Sequence, residues 1–171
     1  MDLHNLFTGD CEIVKCNDEW MYPIFKAGWT GIQRYKQDAK VNKEITNFTD
    51  NIVVHVREPE QRFTSAVNKY SQMHQLTNAD VLHAIKHDTL SDRHWLPQYH
   101  WLQHLARYHH GDITLRPMHK LPFRDSVGKG ENYQPVEVLQ EYCKADRILM
   151  SMCGQRKNLN TVLEDIKNVL S

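Results

Sequence analysis

The chain has 171 residues, 21 basic and 21 acidic side chains balancing to a formal charge of zero, and four cysteines. That length suits one domain, residues 1–171, with a core of useful size. A neutral balance supplies no global field to recruit nucleic acid or an acidic membrane surface, and no stretch reaches the roughly 20 apolar residues of a membrane span. An anionic ligand would have to be held by local positive charge. The first ten residues lack the charged-then-apolar pattern of a signal peptide, so a cytoplasmic location is expected. Cys11, Cys16, Cys143 and Cys153 show no C-x-x-C pairing and are expected as reduced thiols.

In chain order, residues 11–15 and 20–25 read as short strands with Asn17-Asp18 as the turn between them. The second strand breaks into Lys26-Ala27-Gly28-Trp29-Thr30-Gly31, and residues 29–40 begin as a helix that becomes polar. A helix N-terminus offers free N–H groups to an anion. Gly28 allows a close approach and a positive φ, Lys26 adds a mobile cation, and Thr30 a hydroxyl donor. The segment is not a Walker A loop, because G-x-x-x-x-G-K-[ST] is absent.

Residues 51–56 are a β-branched run of the kind a buried parallel strand uses. Arg57 stands at its C-terminal end, where open α/β sheets place ligands. Pro59 suits the first turn of a helix over residues 59–73, with Glu58 a favourable charge beside it. Phe63, Ala66, Val67 and Tyr70 form that helix's apolar stripe, and Ser65 can join Arg57 on one phosphate. The plainer alternative pairs Arg57 with Glu58 or Glu60. His55 is expected in the core.

Thr77 is an expected N-cap with Asp80 at the third helical position, and Val81, Leu82 and Ile85 make an apolar face. A strand is expected over residues 113–116 and a polar loop over 122–133. Helices follow over 135–150, with Val138, Leu139, Tyr142 and Ile148 near one face, and over 160–170. Among eleven histidines, His83 and His87, like His100 and His104, have i,i+4 spacing. No H-E-x-x-H accompanies them, and no metal is expected.

The segment from Lys26 to Thr30 resembles the 5′-phosphosulfate loop of PAPS-dependent sulfotransferases. Arg57-Glu58-Pro59 through Arg62 to Ser65 resembles their 3′-phosphate element, and Asp92-Arg93-His94-Trp95-Leu96-Pro97-Gln98 is similar to the H-W-x-P-Q stretch of the carbohydrate branch. The order along the chain agrees, and the resemblance covers roughly residues 20–125. It implies a single-domain P-loop or nucleotide-kinase-like α/β fold, with a central mostly parallel sheet flanked by helices. It also implies transfer of a sulfuryl group from PAPS (3′-phosphoadenosine 5′-phosphosulfate) to an acceptor hydroxyl, with a carbohydrate as the expected class. Lys26, Ala27, Gly28, Trp29, Thr30 and Gly31 would hold the phosphosulfate, Arg57 and Ser65 the 3′-phosphate, and Lys26 would face the leaving group.

His94 is the expected base, with a pocket-wall role beside Trp95 as its alternative. Gly128-Lys129-Gly130 resembles a basic loop that closes over the 3′-phosphate, so Lys129 joins the expected cofactor contacts, against the alternative of a plain flexible loop. Trp29 stands where the family has a small hydroxyl residue, and Gly31 where the carbohydrate branch has serine. A catalytically inactive 3′-phosphoadenosine-binding module remains the alternative reading. A small-molecule kinase is disfavoured by the missing Walker pattern.

Overall fold

Five consecutive apolar or aromatic side chains, Ile52 to Val56, are buried on both faces of one strand, and that strand lies inside the sheet. The computed structural model describes residues 11–87, 93, 95–121 and 137–171. Among them are six strands: β1 (Glu12–Cys16), β2 (Glu19–Met21), β3 (Asp38–Val41), β4 (Ile52–Val56), β5 (Asp112–Pro117) and β6 (Arg156–Asn158). Seven α-helices accompany them: α1 (Trp29–Arg34), α2 (Asn42–Thr46), α3 (Pro59–His74), α4 (Asn78–Lys86), α5 (Gln98–Leu105), α6 (Glu137–Ser151) and α7 (Leu159–Leu170).

The fold is α/β, with an open sheet in the order β3-β1-β2-β4-β5-β6. Only β2–β4 and β4–β5 pair in parallel; β1–β2, β1–β3 and β5–β6 are antiparallel. The expected mostly parallel sheet is therefore corrected to a mixed one. The reason lies in the connections. Asn17 and Asp18, at φ 52° and 61°, close a two-residue hairpin, which joins only antiparallel neighbours. The parallel pairs β2–β4 and β4–β5 are joined by longer connections that run through helices.

The helix expected over residues 29–40 is a second correction. It ends at Arg34, and Asp38–Val41 then becomes the polar edge strand β3 beside β1. The second expected strand also stops early, at Met21.

Alternation along the strands separates two faces. Ile13, Ile52, Val54, Ile113 and Leu115 pack with Ile45 of α2, Leu102 of α5, Leu149 of α6 and Ile166 of α7. On the opposite face Val14, Cys16, Met21 and Val53 meet Ile32 of α1 and Leu121. Helices thus cover both faces, unevenly. The expected stripe of α3, Phe63, Ala66, Val67 and Tyr70, is buried against Val81 and Ile85 of α4 and against Trp95.

The caps follow the sequence. Glu58 accepts from the N–H groups of Glu60 and Gln61, Pro59 opens α3, and Thr77 accepts from Asp80 N. Among the described residues no helix is long and apolar enough to cross a membrane. The polar loop expected over 122–133 lies outside the described residues.

Candidate functional site

The turn after β2 carries the first expected site. Lys26 has φ 63° and Gly28 φ 97°, both in the left-handed region. Gly28 meets that geometry without a Cβ, as expected, and a Cβ there would collide with the Leu121 side chain. A lysine in this region costs about 1–2 kcal/mol, so surrounding contacts must hold it.

Two arginines supply those contacts. The Arg62 guanidinium donates to the carbonyls of Phe25, at 2.9 Å, and of Leu96. Arg57 Nη1 donates to the Lys26 carbonyl at 3.2 Å. Glu60 pairs with Arg147 at 3.4 Å.

The third segment closes on the second. Gln98 is fully buried, and its side-chain amide spans both main-chain groups of Arg57, accepting from N–H and donating to C=O at 2.8 Å each. Asp146 of α6 accepts from Gln98 N and Tyr99 N, each at 3.0 Å, and so satisfies the first turn of α5. Burial pushes the Asp146 carboxyl above its ordinary range, against the pull of Arg62 and these N–H groups. Burial also lowers Arg62, to about 10, which leaves it charged at neutral pH. Trp95 stacks edge-on against Tyr70 at 5.1 Å. Segments 25–31, 57–65 and 95–98, separate in sequence, therefore converge through hydrogen bonds.

A cavity of about 380 Å³ opens beside the turn, lined by Phe25, Lys26, Trp29, Thr30, Lys69 and Met73. Two ammonium groups and a hydroxyl surround an apolar floor, with no acidic residue among the described lining residues. Lys69 was not expected from sequence. Its signal is spacing: Ser65, Lys69 and Met73 follow at steps of four along α3, one stripe of the helix. Ser65, 6% exposed, sits on that stripe one turn before Lys69. Ala27 and Gly31 are buried beneath the turn.

A second cavity of about 250 Å³ lies against Phe25 and Trp29 too, and is walled further by Tyr22 and Trp101. Phe25 and Trp29 meet edge-to-face at 5.3 Å. Glu12, Gln33, Arg93 and His104 contribute its polar lining. Gln33 Nε2 donates to Glu12 at 2.6 Å, and the Arg93 guanidinium lies 5.0 Å over Phe25 and 5.9 Å over Trp101. Burial, with Arg107 and Arg93 nearby, lowers His104 to about 4, so its imidazole is neutral at pH 7. None of these four polar residues was singled out from sequence except His104, as one of a histidine pair.

Of the remaining expected residues, His94 and Lys129 lie outside the described residues. His55 is buried in the core, as expected. The rings of His83 and His87 approach to 4.2 Å, but among the described residues no group of three His, Cys, Asp or Glu could hold a metal ion. Scanned against models of protein families, and compared with curated proteins and solved structures, the chain matches none.

Proposed function

We propose that the protein is a PAPS-dependent sulfotransferase acting on a carbohydrate hydroxyl, built on a nucleotide-kinase-like version of its α/β fold. The observation that carries this reading is the lysine-flanked cavity on the Lys26–Thr30 turn, tied by a hydrogen bond to Arg57 at the end of β4. The cavity suits an anionic donor on chemical grounds. Lys26 and Lys69 offset phosphate and sulfonate charge, Thr30 donates a hydroxyl hydrogen bond, and Trp29 and Phe25 offer faces to a planar base.

The donor supplies a sulfuryl group whose bond to the 5′-phosphate breaks as the acceptor oxygen bonds to sulfur. Negative charge gathers on the bridging oxygen, and the Lys26 ammonium stabilises it there. The acceptor proton passes to a base, for which His94 is proposed. Arg57 and Ser65 are proposed for the 3′-phosphate, Lys129 for a closing contact over it. Arg62 and Gln98 act one step away, by fixing the turn and the end of β4.

A catalytically inactive 3′-phosphoadenosine-binding module is the second reading. It is favoured by Trp29, whose indole borders the cavity where the family has a small hydroxyl residue. The two readings separate on release of 3′-phosphoadenosine 5′-phosphate (PAP) from PAPS, followed with pooled oligosaccharide acceptors. Lys26→Ala is expected to lower turnover by about 100-fold, the size of losing one transition-state donor, with the fold intact. A wild-type protein that binds PAP yet never releases it from PAPS would sink the enzyme reading and leave the module.

A further inference from the structure

We propose that the smaller, aromatic cavity is a second ligand site, for a single hydroxyl-rich ring, and that Trp29 stands at its border with the lysine cavity. Among the described residues, the two cavities share Phe25 and Trp29 in their linings. Removing the Trp29 indole would therefore widen the passage between them.

The ligand class follows from the lining. A pyranose ring presents C–H groups on its faces and hydroxyls around its edge, so it needs aromatic faces together with both donors and acceptors. Trp29, half-buried, presents an aromatic surface, backed by the buried Tyr22 and Trp101. Glu12 accepts, Arg93 donates, and Gln33 does both. Two of these are preorganised: Gln33 holds the Glu12 carboxylate at 2.6 Å, and the Arg93 guanidinium is seated over two rings. A phenolic ligand would use the faces and leave most of the polar edge without a partner, at a cost in desolvation.

The size follows from the volume. At about 250 Å³ the cavity lies below the roughly 300–1,000 Å³ of sites for drug-sized ligands, which suits one ring and not several. In the reaction, this ring is the acceptor, or its terminal unit, and that assignment rests on the sulfotransferase reading; binding of the ring does not. Trp29 then sets specificity, limiting the aromatic site to one ring whose reacting hydroxyl must reach past the indole to the donor's sulfuryl group.

The test is an NMR-detected titration of the full chain with methyl β-D-glucopyranoside, methyl β-D-galactopyranoside, a linear glucose tetrasaccharide and 4-nitrophenol, alongside a separate titration with PAP. A methyl glycoside is expected to saturate with Kd on the order of 1 mM, with the tetrasaccharide no more than about twofold tighter. Gln33→Ala and Glu12→Gln should each weaken the glycoside about tenfold, while PAP affinity stays within about twofold. Trp29→Ser should raise the tetrasaccharide's affinity relative to the monosaccharide's. No saturable glycoside binding, 4-nitrophenol binding in its place, or indifference to both polar substitutions overturns the proposal. Glycoside binding that persists where PAP fails to bind upholds this site and removes the sulfotransferase reading instead.

Discussion

Replacing His55 by leucine should make the protein more stable and less sensitive to acid. His55 lies on β4 with 1% exposure, on the face shared with Val53, and neither ring nitrogen has a hydrogen-bond partner. Burial, with Arg116 nearby, lowers its pKa from 6.5 to about 4. The folded pKa is below the unfolded one, so between those values the unfolded chain holds a proton that the folded chain refuses. Stability from this group is complete above pH 6.5 and falls as the pH drops towards 4. At about 1.4 kcal/mol per pH unit the full loss is about 3 kcal/mol, of which about 2 kcal/mol is gone by pH 5.

Leucine fills a similar volume and removes two polar atoms that the fold leaves without partners. His55→Leu should thus gain about 1 kcal/mol at pH 7, after a repacking cost below about 1.5 kcal/mol. Urea midpoints measured from pH 7.5 down to 5 give both quantities. That window avoids Glu19, whose carboxyl the Arg116 hydrogen bond holds below its ordinary range. The variant's curve should be shallower than wild type by about 2 kcal/mol at pH 5, with His104 and His109 keeping part of the slope. A variant about 2 kcal/mol less stable at pH 7, with an unchanged acid slope, would refute the reasoning.

Two further substitutions probe the frame of the site. Arg62→Ala removes donors from two carbonyls and leaves Asp146 buried without its positive neighbour; a loss of about 3–5 kcal/mol in urea denaturation is expected. Arg62→Lys should recover little of it, since one ammonium lacks the guanidinium's fork. Gly28→Ala places a Cβ at φ 97° and against Leu121, so a loss of about 1–3 kcal/mol, with weakened PAP binding, is expected from the same denaturation assay and a PAP titration.

How much of this was legible in the sequence differs by element. β4 and α3 are readable because their signals are local and redundant: a β-branched run, an acidic Glu58 beside the first turn, Pro59 at the first helical position, and a stripe at spacings of three and four. The antiparallel β3 is not, because the alternation of Asp38-Ala39-Lys40-Val41 spans only four residues with two small or medium apolar side chains, none of the four is buried, and its pairing with β1 makes it a strand. β6, three polar residues beside β5, fails for the same reason. α5 carried a signal in Trp101, Leu102 and Leu105, which the H-W-x-P-Q pattern overshadowed. At the site, the left-handed turn at Gly28 was readable from a glycine's freedom. The carbonyl contacts of Arg57 and Arg62 were not, since nothing in a sequence says which main-chain oxygen will lie within reach.

The central claim is that the Lys26 turn and Arg57 together recognise a 3′-phosphoadenosine nucleotide. Calorimetric titration of the protein with PAP, AMP and ATP tests it most directly, repeated on Lys69→Ala and Arg57→Ala after each variant is shown to be folded. The account predicts micromolar PAP binding, at least about tenfold tighter than AMP, with affinity lost in Lys69→Ala and the preference for a 3′-phosphate lost in Arg57→Ala. AMP or ATP binding as tightly as PAP would contradict it.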